Sequence, residues 1–239
     1  MEGRIRIGVS TCLLGQPVRF DGSHKHDRYL TGTLAEYLEF VPVCPEVEAG
    51  FPVPRESMRL VGDPDRPRLV TTRSGVDHTE RMTAWAAKRV RELEAENLCG
   101  FIFKSDSPSS GLERVKVYND KGMAEKKGVG IFARAFTRHF PLLPVEEEGR
   151  LNDAKLRETF IEQIFTLKRW REMLALPAAM KHLVDFHARH KLLVLAHSPV
   201  HARLMGKLVA EGKRRPYPEL CADYERQLLE ALRMKTTPL

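Results

Sequence analysis

Long apolar runs are missing from this 239-residue chain. None reaches the ~18 residues that a membrane span requires, and MEGRIRIGVS passes directly into a strand pattern without a signal-peptide region. The chain therefore reads as cytosolic. Cysteine is scarce: Cys12, Cys44, Cys99 and Cys221 are widely scattered, which argues against a disulfide framework and leaves buried thiols, metal ligands or catalysis. Internal repeats and low-complexity tracts are absent as well. A hydrophobic content of 42 % and an aromatic content of 8 % exclude a disordered or fibrous chain. There is no acidic excess. Net charge is +7, and it is uneven: residues 151–239 carry 16 Lys and Arg against 10 Asp and Glu, residues 1–150 carry 23 against 22. The second half is therefore the one expected to meet an anionic partner.

What is present is an alternation of strand and helix signals, followed by helices alone. RIRIGVS reads as a strand, TGTLAEYLEF as a helix and FVPVC as a short strand. DHTERMTAWAAKRVRELEAENL is a long amphipathic helix, CGFIFKS a buried strand, and ERVKVY with the helix-like GVGIFARAFTRHF completes the unit. Short apolar strands separated by helices predict a parallel α/β sheet. From Asp153 onward four helical segments follow. The expectation is an α/β parallel-sheet N-terminal domain over 1–145 and an all-α C-terminal domain over 150–239, divided in the Pro, Glu and Gly cluster from Pro141 to Gly149.

In an open parallel sheet, ligands bind outside the carboxyl ends of the strands, and three such ends carry unusual chemistry. They are STCLLGQPVRFDG, with Cys12, Arg19 and Asp21; PVCPEVEAGFPVPR, with Cys44, Glu46 and Arg55; and KSDSPSSG, with Lys104, Ser107 and Ser110. Each cysteine is either a small buried hydrophobe or a ligand. The serine-rich turn either caps a helix or cradles a phosphate.

These three segments, in this order, resemble the TudS-like thiouracil desulfidases, and the helical half, with HARHKLLVLAHSPVHARLMGKLV, resembles the YbgA-type domain fused behind them in the RudS-like desulfidases of 4-thiouridine in tRNA. The resemblance implies a 4Fe-4S cluster held by three cysteines, with one iron left open. Two ligand positions match Cys12 and Cys44; the third falls on Ser110, so the chain reads as a Cys-to-Ser variant, engineered or natural. A hydroxyl is a harder and far less acidic ligand than a thiol. Cys99 opens the stretch CGFIFKS, whose roughly six steps of ~3.3 Å put it some 20 Å from the loop, so it is expected in the core, as is Cys221.

The resemblance further implies that the open iron accepts a thiocarbonyl sulfur while water attacks the carbon beneath it. Glu46 matches a catalytic glutamate and Ser107 a functional serine. Arg19, Asp21 and Arg55 either touch substrate or hold the loops by ion pairs, and Lys104 is a phosphate contact or a solvated strand end. In the second half, Arg169, Trp170, Arg171, Arg189, Lys191, Arg203, Lys207, Lys213, Arg214 and Arg215 are candidates for a tRNA-phosphate face. His182, His187, His190, His197 and His201 lack carboxylate or cysteine partners at zinc-site spacing. They read as satisfied or RNA-facing histidines. Desulfuration of a free thiobase and iron-sulfur-dependent RNA binding without catalysis are the alternatives.

Overall fold

The computed structural model describes residues 3–234. The chain divides into two compact units, Met1–Ala154 and Lys155–Leu239.

The first unit is built on four parallel strands in the order β2-β1-β5-β8: β1 (Ile5–Ser10), β2 (Leu38–Val43), β5 (Gly100–Phe103) and β8 (Val145–Glu147). β1 and β5 lie inside the sheet and are apolar on both faces, as their IRIGV and GFIF runs dictate. β2 is an edge strand, which is where Pro42 costs no ladder hydrogen bond. Helix α2 (Thr79–Glu92) and helix α3 (Ile131–His139) pair with each other. Their Trp85, Phe132 and Phe136 pack in one aromatic cluster with Phe101 and Phe103 of β5. The chain runs from β1 outward to β2 and then crosses to β5 on the other side of β1. That reversal places the switch point, and hence the crevice, at the carboxyl ends of β1 and β5.

A second sheet, β4-β3-β6-β7, departs from the expected single parallel sheet. It contains β3 (Met58–Val61), β4 (Arg68–Thr71), β6 (Val115–Tyr118) and β7 (Ala124–Gly128). Only β3 and β6 run parallel; both outer pairs are antiparallel hairpins. ERVKVY therefore belongs to this sheet. Its Val115 and Val117 bury with Leu60, Leu69, Phe51 and Met82 in a separate small core.

Other differences are local. TGTLAEYLEF forms a short π turn over Tyr29–Thr33 and a 3-10 turn over Leu34–Glu36, and its last residues already belong to β2. Leu38 enters the ladder opposite Ile5, so pairing with β1 overrides the helical period. The stretch from Pro141 to Gly149 carries β8, which closes the edge of the parallel sheet beside β5.

The second unit is helical: α4 (Ala154–Leu174), α5 (Met180–His197), α6 (Pro199–Glu211) and α7 (Tyr217–Leu232). Trp170, fully buried, stacks on Tyr224 at 5.0 Å and meets Phe186 edge-on. It is a core residue rather than part of an RNA-facing surface. No helix among the described residues is long and apolar enough to cross a membrane.

Candidate functional site

Three loops leave the carboxyl ends of β1, β2 and β5 and enclose a cavity of about 470 Å³. Cys12, Arg19, Cys44, Glu46, Arg55, Lys104, Ser107 and Ser110 all line it. Asp21 does not: it is exposed, and its carboxylate accepts from the amide and hydroxyl of Ser23.

Each loop is fixed by local chemistry. After β1 the chain makes one 3-10 turn, Thr11–Leu14, which stops at Gly15 with φ of 86°; the Cys12 carbonyl accepts from the amides of Gly15 and Lys25. After β2, Cys44 is the extended N-cap of the short helix α1 (Pro45–Glu48), with Pro45 at the first helical position. Glu48 reaches back to accept from the Cys44 amide at 2.8 Å, satisfying a donor at the start of the helix. After β5, the serine-rich turn leans on the start of α3. The carbonyls of Pro108 and Ser109 accept from the amides of Ile131 and Phe132, satisfying donors that a helix N-terminus leaves free. The approach is close enough to require glycine: a Cβ on Gly130 would stand 2.6 Å from the Ser109 carbonyl, and one on Gly111 would stand 2.8 Å from the Ser107 oxygen.

Glu46 sits at the centre of a polar chain. Arg55 donates to its Oε2 through both Nε, at 2.8 Å, and Nη2. Ser109 donates to Oε1 at 2.9 Å, Ser109 and Ser107 hydroxyls are 3.0 Å apart, and Ser107 Oγ accepts from the Ser110 amide at 3.1 Å. Arg55 also donates to the Val18 and Pro52 carbonyls, so one guanidinium ties the first two loops to the carboxylate. The Arg55 and Glu46 side chains are only 6 % and 14 % exposed, which makes their bond a low-dielectric, charge-assisted one. Lys104 points its ammonium to Glu148 and Ser105, and its amide donates to Ser10 Oγ. Arg19 lies 3.9 Å from Asp21, with its Nε buried and without a hydrogen-bond partner.

Burial pushes the Cys12 thiol up to about 11, against the opposing pull of Lys104 and Arg19. Burial raises the Cys44 thiol as well. Ser110, 3 % exposed, completes this wall of the cavity. Cys99, buried just before β5 with its amide bonded to Arg6, and Cys221, buried on α7, stand outside the cavity. An iron-sulfur cluster is held by thiolates, and the cavity offers two cysteines and a serine. The residues present therefore do not fit a cluster that needs three cysteine ligands.

Sequence reasoning missed Ser109, which joins Glu46 to Ser107, and Glu148, which holds Lys104. Ser109 lies in the turn KSDSPSSG, where nothing sets its hydroxyl apart from those of Ser107 and Ser110, and Glu148 sits in an acidic run with no signal of its own.

In the helical unit, Arg189, Lys191, Arg203, Lys207 and Arg214 are exposed. Arg203 and Lys207 share one face of α6 at i, i+4 spacing. Arg215 is paired with Asp223 at 2.6 Å, and the side chain of Lys213 lies outside the described residues. The histidines have protein partners: His187 with the Tyr224 hydroxyl, His190 with the Phe186 carbonyl, His197 with Glu162 and the Met234 carbonyl. No group of three His, Cys, Asp or Glu able to hold a metal ion occurs among the described residues.

Two cysteines and an arginine-anchored glutamate thus meet on one cavity at the carboxyl ends of a parallel sheet, and comparison with known proteins gives the family. Residues 7–148 match the family model of 2-thiouracil desulfurase, and the chain belongs to that family. Residues 191–239 match a family of unknown function, DUF1722, in the stretch that resembles the YbgA-type domain. The chain is similar to the uncharacterized protein YbbK of Bacillus subtilis, with 34 % identity over 110 residues, 44 % of this chain and 72 % of that one. It is also similar in structure to the 4Fe-4S-dependent thiouracil desulfidase TudS, with a TM-score of 0.51 and 32 % identity, covering 63 % of this chain and 95 % of that one.

Proposed function

We propose that the cavity takes the ring of a thiolated pyrimidine, that the reaction is hydrolytic removal of its sulfur, and that the substrate is 4-thiouridine in tRNA, held in part by the helical unit. The observation that carries this is the meeting of Cys12, Cys44 and the Arg55-anchored Glu46 on one cavity, in a chain of the 2-thiouracil desulfurase family.

The chemistry of the chain's own groups is as follows. Water adds to the thiocarbonyl carbon, the C–S bond breaks, and the sulfur leaves as hydrosulfide while the carbon keeps the oxygen; no electron is gained or lost. Glu46 takes the proton of the attacking water. Arg55 holds Oε2, which leaves Oε1, bonded to the Ser109 hydroxyl, to take that proton. Ser107 and Ser109 form a hydroxyl relay that can bind the ring or return a proton. Arg19 and Lys104 supply positive charge beside Cys12, where sulfide develops. The two thiols lie beside the position of the leaving sulfur, and with Ser110 at the third corner no step is assigned to a cluster.

The test is incubation of 4-thiouridine-containing tRNA with this chain and with Ser110→Cys, followed by nucleoside analysis. Appearance of uridine with equimolar sulfide supports the reading. Absence of both binding and conversion for both forms removes it. The missing third cysteine favours one other reading, a protein that binds the thiolated nucleotide without turning it over. Tight binding without conversion by either form is its signature.

A further inference from the structure

The second sheet turns its apolar side to the small core through Leu60 and Val117, so alternation turns Arg59 and Lys116 to the other side. Leu60 pairs with Val117, and the same register sets Arg59 beside Lys116; on the next strand Lys126 stands directly opposite Lys116. Three cations thus form a row across three adjacent strands, roughly 10 Å long at the usual inter-strand spacing. Like charges placed directly opposite destabilise a sheet. Among the described residues none of the three has an ion pair, and Arg59 Nε is buried without a hydrogen-bond partner. The Arg59 guanidinium lies over the Tyr118 ring, 5.1 Å from its centroid, and Tyr118 faces the same groove. This groove, about 350 Å³, adjoins the thiol-bearing cavity: Met58, Asp106 and Pro108 belong to the walls of both. Asp106 is the one acid on it.

A row of unpaired cations flanking an aromatic ring is the surface that single-stranded nucleic acid uses, phosphates on the cations and a base on the ring. We propose that the outer face of the second sheet binds the RNA strand carrying the thiolated base, with its phosphodiester groups along Arg59, Lys116 and Lys126 and a neighbouring base stacked against the Arg59–Tyr118 pair. This rests on the reading of the cavity as a site for a nucleotide in tRNA. A phosphate-binding surface then lies in the first unit, where overall charge is nearly balanced, and not only in the basic helices.

The test is titration of 4-thiouridine-containing tRNA and of free 4-thiouracil onto the full chain and onto Lys116→Gln/Lys126→Gln, each at several salt concentrations. The expected result is an RNA affinity lowered roughly 10-fold near physiological salt, with the logarithmic salt slope shallower by about two, one for each lost phosphate contact. Binding of the free base should be unchanged. Thermal melting should be unchanged or higher, since opposed charges have been removed. Unchanged RNA affinity and slope, with the free base still bound, overturns the proposal and leaves the cavity reading standing. If the parent chain binds the free base and not tRNA, both this proposal and the tRNA assignment fall.

Discussion

Ser110 decides the chemistry of the cavity at the scale of one atom. It occupies a buried corner on a turn whose geometry is set by Gly111, Gly130 and the N-terminus of α3, so the turn is expected to keep its shape when sulfur replaces the Ser110 oxygen. Ser110→Cys is expected to take up iron and sulfide under anaerobic reconstitution, while the parent takes up little, because thiolates hold such iron and hydroxyls do not. Equal iron and sulfide content in the two proteins would refute this. Glu46 is tied to both Arg55 and Ser109, so alanine there loosens two loops as well as removing a base. Glu46→Gln separates the two effects: it keeps the shape and should lower turnover of 4-thiouridine about 10²-fold or more, with thiobase binding largely retained. Turnover equal to that of the parent form would assign the proton to another group. At this scale much of the site was legible in the sequence, since Cys12, Cys44, Glu46, Arg55, Ser107 and Ser110 sit on strand ends that the fold brings together. The exposed Asp21, and the contacts of Ser109 and Glu148, depend on side-chain directions that loop sequence does not encode.

Elements were legible where one force dominated. β1 and β5 are continuous apolar runs, and α4, α5 and α7 bury apolar residues at three- and four-residue spacing. The second sheet was not legible because its strands are short and β7, AEKKG, is exposed at all but its last residue. Its place is dictated by tertiary pairing with β6 rather than by its own pattern. One helix makes a further measurable claim. His190 on α5 is 6 % exposed, bonded to the Phe186 carbonyl and stacked on the Phe186 ring. Burial lowers its pKa, helped by Arg169 and Arg189. Its folded-state value lies below the ordinary ~6.5 of the unfolded chain, so below that pH the unfolded state binds the extra proton and stability falls as pH drops toward the folded value. Thermal melting of the parent at pH 5 and pH 7.5 should therefore show a loss on acidification that is smaller in His190→Phe. An identical pH dependence in both would mean that this imidazole is not the group responsible.

For the molecule as a whole, the tRNA proposal requires phosphate contacts that a free thiobase cannot make. Net charge pointed to the helical half, and there Arg203 and Lys207 present two cations on one exposed face of α6, whereas Arg215 already spends its charge on Asp223. The paired test is therefore Arg203→Glu/Lys207→Glu. If α6 grips tRNA, this change weakens tRNA binding and flattens its salt slope, with no effect on binding of a free thiobase, which has no phosphate to lose. Combining it with Lys116→Gln/Lys126→Gln then asks whether both surfaces touch the same RNA. Phosphate contacts made at the same time by separate surfaces should contribute nearly additively, so the fourfold variant is expected to lose slope equal to the two separate losses. A combined loss no greater than the larger single loss would mean that only one of the two surfaces is engaged when the thiolated base enters the cavity.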